Sequence, residues 1–195
     1  MYKALPALVF IVTLLSGCTG MRLVDSQVNS FVVKPIAAGA SYRFERLPSQ
    51  QADAEAQDRL EAMTAQALAK VGLQPHDSAP ALLAQVQLTQ RVERAANEGL
   101  AFGWGLGWRA GHHGGIGPGG GSLFAGLADL PNYWREVHLV LREPASASVV
   151  FESRARHDGP WSDSAAIVPA MLDAALQGFP QPPPGERRVN IEIPR

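Results

Sequence analysis

Cysteine, excess positive charge and long apolar runs are all scarce in this sequence. One cysteine in 195 residues allows no disulfide within the chain and no cysteine-based metal site. Lysine and arginine total 17 against 18 aspartate and glutamate residues, so the chain lacks the basic excess expected of a nucleic-acid-binding protein. No apolar run reaches the ~20 residues of a membrane-spanning helix. The length fits one globular domain with a substantial core.

The single cysteine stands directly after a short apolar segment at the amino terminus. A brief positive start followed by apolar residues 4–15 is the pattern of a secretory signal peptide. Leu15-Ser16-Gly17-Cys18 looks like the bacterial lipobox, which predicts cleavage before Cys18 and its modification with acyl chains such as palmitate. The alternative is an ordinary signal peptide that contains a cysteine by chance. By analogy with known sorting rules, Thr19 favours a lipid-anchored protein of the outer membrane that faces the periplasm.

The predicted domain organisation follows from this anchor. Residues 1–17 are the signal peptide, and their removal takes Lys3 away and leaves a formal charge of −2. Residues 18–22 are a lipidated tether and residues 23–180 an α+β domain with an inserted glycine-rich loop at 99–121. Residues 181–195 form a proline-rich tail with a candidate edge strand.

Hydrophobic periodicity predicts the elements of the domain. An apolar stripe at spacings of three and four residues predicts one helix from about 49 to 71, and we interpret the acidic residues Asp53, Glu55, Asp58 and Glu61 as its solvated face. Gly72 and Leu73 are typical of a helix end. A second helix is predicted from 162 or 164 to 177, with a turn before it at His157–Pro160. Alternation predicts strands at 23–33, 41–46, 82–94, 133–142, 147–156 and 189–193.

Strands that mostly follow one another, with only two helices, predict the fold class. We expect an α+β two-layer sandwich, with a mainly antiparallel sheet and both helices on one face. The strands at 133–142 and 147–156 form a hairpin and must therefore be antiparallel. The element order argues against a doubly wound sheet, in which strands and helices alternate throughout.

The sequence resembles the proteobacterial lipoproteins that carry domain of unknown function 4136, over roughly residues 22–180. The resemblance rests on Ser41-Tyr42-Arg43-Phe44 with Leu47-Pro48, on residues 67–73 at the end of the first helix, and on Gly178-Phe179-Pro180 at the end of the second. Members often have an alanine-aspartate pair before the central strand, where this chain has Pro80-Ala81-Leu82-Leu83. The resemblance implies a lipidated envelope protein with an α+β fold and supplies no catalytic residues.

Residues 99–121 contain eleven of the nineteen glycines, interleaved with aromatic residues. Residues 115–120 match a dinucleotide-binding pattern, but Pro118 and the glycines after it replace the helix start that the motif needs, so no nucleotide site is predicted. Two interpretations of the loop remain. It closes over the sheet as a connection, or Phe102, Trp104 and Trp108 contact a partner or lipid.

The histidines and serines do not form a convincing catalytic or metal site in the sequence. His112 and His113 are adjacent and point apart in extended backbone, and no zinc-binding spacing occurs. Ser162 and Asp163 are good helix caps, which explains their presence near His157 without a catalytic triad. Trp134 and Trp161 are interpreted as core or rim packing.

The sequence therefore favours a non-catalytic, lipid-anchored envelope protein that binds or scaffolds a partner. It predicts no cofactor, metal, nucleotide or nucleic acid, and it predicts attachment to the membrane through Cys18 together with an envelope protein partner. One alternative is a small-ligand or lipid-binding module with the aromatic glycine-rich loop as a lid. Another is a hydrolase that uses His157 or His138.

Overall fold

Alternating apolar and polar residues build one sheet, and two apolar helical stripes cover one of its faces. The computed structural model describes residues 20–93 and 131–195. In chain order the elements are β1 Met21–Val32, β2 Ser41–Phe44, α1 Pro48–Ala52, α2 Ala54–Lys70, β3 Gln74–Pro75, β4 Leu82–Glu93, β5 Asn132–Arg142, β6 Val149–Gly159, α3 Ser164–Ala175 and β7 Glu186–Pro194.

The seven strands lie in the order β3-β2-β4-β5-β6-β1-β7. Four strand pairs, from β4 across to β7, are antiparallel, while β2 pairs in parallel with both β3 and β4. The α+β class and the mainly antiparallel sheet are confirmed. The parallel pairing of β2 arises because two helices carry the chain from β2 back to the same edge of the sheet.

Three helices form where two were predicted, because the first predicted helix is broken at Asp53. The backbone of Asp53 leaves the helical region, at φ −121° and ψ 65°, and its side chain caps α2 by accepting from the Ala56 N–H at 3.4 Å. The predicted end is confirmed: Gly72 has φ +87°, and the Leu73 N–H donates to the Leu68 carbonyl at 3.0 Å.

The acidic face of α2 is less solvated than predicted. Glu61 is only 8% exposed, and both of its carboxylate oxygens accept from Arg46, at 2.7 and 2.6 Å. Asp58 accepts from the same guanidinium at 2.6 Å. These carboxylates, Glu61 first, raise the pKa of Arg46 above its usual value. The interpretation of Glu61 as solvated was therefore wrong, because it holds the chain after β2 against the helix.

The core lies between the sheet and the helices. Helix α3 contacts four strands and α2, so it occupies the centre of the helical layer. Each fully buried aliphatic or aromatic side chain contributes roughly 1.5–3 kcal/mol to folding. The buried set includes Val24, Val28, Val86, Val137, Leu139, Phe151, Ile167, Met171 and Leu172.

Two strand boundaries differ from prediction, and one proposed strand is present. Met21 and Arg22 belong to β1, so only residues before Met21 remain for the predicted tether. Strand β6 continues through Gly159, and His157, predicted as a turn residue, is buried within it. Strand β7 pairs along β1 at the sheet edge, as the alternation after the proline-rich segment predicted. No helix in residues 20–93 and 131–195 is long and apolar enough to span a membrane.

Candidate functional site

The residues singled out from the sequence as candidate contacts are not among those that the structure describes. Cys18, Phe102, Trp104 and Trp108 all lie outside residues 20–93 and 131–195, as do His112 and His113. Their predicted roles stay predictions. The described residues nevertheless contain two polar clusters that are candidates for function, one on each face of the sheet.

The first cluster covers the outer face, which we define as the face of the sheet opposite the helices. Strand alternation places polar residues here because their neighbours point into the core. Glu152 is the centre of a network, with its Oε1 2.9 Å from both His138 Nε2 and an Arg154 guanidinium nitrogen. Two further ion pairs join Arg156 to Glu136 at 2.5 Å and Arg188 to Asp25 at 3.4 Å.

A groove crosses the outer face over β1, β6 and the start of β7. Its volume is about 240 Å³, and Phe31 is 53% exposed at one side of it. In the β1–β6 register Phe31 lies opposite Glu152, so an aromatic ring sits beside the charged network. The lining residues are Gln27, Asn29, Phe31, Glu152, Arg154, Arg156 and Glu186.

The outer face offers charged donors, charged acceptors and one apolar surface side by side. Glu136 raises the pKa of Arg156 by hydrogen bonding to it, so this guanidinium keeps its charge over the whole physiological range. Arginine and aromatic residues are enriched at protein-binding surfaces, and this face exposes both. A groove of this size is smaller than the usual small-molecule pocket of roughly 300–1,000 Å³.

The second cluster lies on the helix face, beneath the start of α3. Arg135 is 1% exposed, and its guanidinium donates to Ser164 Oγ at 2.9 Å, the Trp161 carbonyl at 2.8 Å and the Tyr133 carbonyl at 3.3 Å. Burial lowers the pKa of Arg135, although Asp163 nearby favours the charged form. Arg135 therefore fixes the loop before α3 onto β5.

His157 lies in the same buried layer. Its Nδ1 is 2.7 Å from the Asp25 carbonyl, which can only accept, so Nδ1 carries the proton and donates. The ring thus joins β6 to β1, and this position explains why the strand continues where the sequence predicted a turn. Nε2 is buried without a partner among the described residues.

Asp163 has a structural role that differs from that of a triad carboxylate. Its side chain accepts from Arg22 at 2.9 Å and from the Ala166 N–H at 3.2 Å, which caps α3. Arg22 first, and then the cap, lower the pKa of Asp163. His157 thus contacts Asp25, whereas Asp163 contacts Arg22. No contact among the described residues joins His157 to Asp163.

The other two histidines in the described ranges have separate contacts. His138 contacts Glu152 on the outer face, and His76 accepts from the Ala79 N–H at 3.2 Å within a loop. Within residues 20–93 and 131–195, no cluster of three metal-ligating side chains occurs.

Sequence reasoning missed both clusters. The signal for the outer face was the alternation itself, because Glu152, Arg154 and Arg156 must share one face if Phe151 and Ala155 share the other. Arg135 carried a weaker signal. It sits on the apolar register of β5, two residues before Val137, where a charge is out of place unless it is hydrogen-bonded.

Comparison with known proteins identifies a family and distant structural neighbours. The model of a family described as "Domain of unknown function (DUF4136)" matches residues 26–181. No curated protein matches the chain. A PDZ domain protein from Parabacteroides distasonis aligns with a TM-score of 0.49 and 14% identity, over 94% of this chain and 41% of that one.

Two structures of the PelC dodecamer from Paraburkholderia phytofirmans also align with this chain. Their TM-scores are 0.44 and 0.43, each at 11% identity and over 77% of this chain, and they are covered over 94% and 95% of their own length. The chain spans less than half of the PDZ domain protein and nearly the whole of PelC.

Proposed function

This chain belongs to the DUF4136 family, and from that premise we propose that it is a non-catalytic, lipid-anchored protein of the bacterial envelope. Its outer sheet face binds a protein partner in the periplasm. The lipid anchor is Cys18, and the anchored leaflet is that of the outer membrane.

The order of residues in the amino-terminal segment supports the lipid anchor. The apolar residues 4–15, the small residues Ser16 and Gly17, and Cys18 occur in the order that lipoprotein processing requires. Two or more acyl chains on one residue give stable membrane attachment, whereas a single chain holds only marginally.

The main support for a binding role is the composition of the outer face. Within residues 20–93 and 131–195, α2 and α3 pack on the opposite face, and no described element packs as a layer over this one. It combines the Glu152 network with the exposed ring of Phe31 and the groove between them. Exposed ion pairs contribute little to stability, typically 0–1 kcal/mol each, so the folding of the domain does not explain why so many are gathered here.

The roles of the titratable candidates support binding rather than catalysis. Asp163 caps α3 and pairs with Arg22, and His157 joins two strands through the Asp25 carbonyl. His138 belongs to the outer-face network. The alternative in which the aromatic glycine-rich loop, residues 99–121, is a lid over a ligand stays a prediction, because those residues lie outside the described ranges.

Site-specific photocrosslinking in intact cells tests the binding role. A photoreactive phenylalanine analogue replaces Phe31 beside the groove, and the same analogue replaces the exposed Gln66 on α2 as the control. We expect one discrete crosslinked protein from position 31 and none from position 66. Reversal of charge in the groove, by Arg154→Glu with Arg156→Glu, should weaken that product because it reverses the surface that the partner meets.

The matched control for the charge reversal is Arg59→Glu, which changes an exposed arginine on α2 that pairs with Glu55. It should leave the crosslink from position 31 intact. Identical crosslinking patterns from positions 31 and 66, or a product that is unchanged by the reversal in the groove, would contradict the proposed interface.

A further inference from the structure

The first and last described residues lie side by side at one end of the sheet. We call it the anchor end and define it by Gly20, Met21, Arg22, Trp161 and Arg195. Met21 pairs with Pro194, and the Arg195 N–H donates to the Gly20 carbonyl at 2.9 Å. Trp161 follows the end of β6 and lies near the side chains of both Arg22 and Arg195.

The covalent chain limits how far this end can lie from Cys18. Two residues of even fully extended chain span at most about 7 Å between Cys18 and Gly20. The tether predicted through residue 22 is shorter than expected, since Met21 and Arg22 are already paired in β1. Acyl chains on Cys18 would therefore hold the anchor end within a few ångströms of the lipid headgroups.

The chemistry of the anchor end suits such a position. Trp161 is 39% exposed, and its ring lies 5.7 Å from the Arg22 guanidinium carbon and 5.6 Å from that of Arg195. Met21, the residue before Arg22 in β1, is 51% exposed. Tryptophan prefers the headgroup level of a bilayer, and arginine pairs well with phosphate, so the group matches the two components of that layer.

We propose that the anchor end lies against the phospholipid headgroups of the leaflet that holds Cys18, with Trp161 and Met21 at the interface and Arg195 facing the phosphates. This inference rests on the lipid anchor of the proposed function. Strand β1 then leads away from the membrane, and its far end lies about 36 Å from Met21 at 3.3 Å per residue. The groove beside Phe31 is consequently held out in the periplasm, where a partner can reach it.

Nitroxide labelling tests this orientation with a matched pair of substitutions. Ser162→Cys places a label next to Trp161, and Ser146→Cys places one in the exposed turn between β5 and β6, at the opposite end of the sheet. Acylated Cys18 has no free thiol, so only the introduced cysteine reacts. The mature protein is reconstituted into vesicles of phosphatidylethanolamine and phosphatidylglycerol, and relaxation by a water-soluble nickel complex and by oxygen is measured.

In these vesicles we expect weaker relaxation by the nickel complex and stronger relaxation by oxygen for the label at position 162 than for the label at position 146. The label at position 146 should keep its aqueous profile. Equal aqueous exposure of both labels, in protein that floats with the vesicles and carries acyl chains on Cys18, would overturn the inference alone. Protein that neither floats nor carries acyl chains would overturn the anchor and, with it, the inference.

Discussion

Arg135 shows how a single buried charge organises this fold. The three groups that accept from its guanidinium are uncharged. Two of them are the Trp161 carbonyl, in the loop before α3, and the hydroxyl of Ser164, the first residue of α3. Ser164 Oγ in turn donates to Gln90 at 3.0 Å, which links β4 to the same cluster. Through these hydrogen bonds, the buried Arg135 holds the start of α3 against the sheet.

Replacing Arg135 should therefore destabilise the protein strongly. Arg135→Ala leaves three part-buried acceptors without this donor and opens a cavity, so we expect a loss of about 3 kcal/mol in the free energy of unfolding. Arg135→Met fills most of the volume and should cost less, about 1–2 kcal/mol, because only the hydrogen bonds are lost. Urea denaturation followed by circular dichroism measures both values.

The order of the two variants is the decisive feature of this test. Equal losses in both would mean that volume is irrelevant and the hydrogen bonds account for the whole effect. If Arg135→Ala lowered the free energy of unfolding by less than about 0.5 kcal/mol, the range of an ordinary surface substitution, Arg135 would not be holding α3 against the sheet.

Individual residues were also where sequence reasoning was least reliable. His157 follows the alternation of Phe151, Ser153 and Ala155, but the glycine and proline after it predicted a turn. A buried histidine in such a register needs an acceptor for its ring N–H, and the Asp25 carbonyl that accepts here comes from a strand more than 130 residues earlier. A partner so distant in sequence leaves no local signal.

Helix α3 is stabilised by different interactions at its two ends. At the start, Asp163 accepts from the Ala166 N–H and pairs with Arg22. At the end, Ser153 Oγ donates to the Ala175 carbonyl at 2.7 Å, and Arg187 donates to the Gln177 carbonyl at 2.9 Å. Both ends are thus tied to strands of the sheet, which fixes the position of the helix as well as its formation.

The start of α3 predicts a pH dependence of stability. Arg22 lowers the pKa of Asp163 in the folded protein, so the ion pair stabilises the fold above the unfolded pKa of about 4, and that stabilisation is lost as the pH falls through the folded pKa. Asp163→Asn retains an oxygen that can cap the helix but removes the charge. We expect the melting temperature of Asp163→Asn to lie below that of the wild type at neutral pH, and the difference to shrink at about pH 3 and below.

Thermal denaturation of both proteins across this pH range makes the comparison. Every other titrating group is common to the two proteins, so the difference between them isolates Asp163. A difference in melting temperature that stays constant from neutral to acidic pH would show that the charge of Asp163 does not contribute.

The element order could be predicted from the sequence because most elements carry a local period. The hairpin of β5 and β6, the end of α2 at Gly72 and the alternation of β7 all follow from neighbouring residues. The break at Asp53 was missed because the apolar stripe continues across it. The cap that starts the new helix involves only Asp53 and the first turn after it, so it does not interrupt the stripe. The parallel pairing of the short strand β2 depends on contacts with β3 and β4, which no period encodes.

The whole molecule has two separated ends and two unlike faces. Strand β1 lies between β6 and β7, so the first described strand is interior to the sheet and joins the earliest and latest parts of the described chain. That position was not predictable from periodicity, since it depends on pairing between strands more than a hundred residues apart. The helix face stabilises the domain, and the outer face supplies the surface for the proposed partner.

The proposed envelope function depends most directly on what is attached to Cys18. Mass spectrometry of the amino-terminal peptide from protein purified out of its native envelope provides the measurement. We expect a chain that starts at Cys18 and carries a thioether-linked diacylglycerol together with an acylated amino group. A peptide that retains residues 1–17 and an unmodified Cys18 would contradict it.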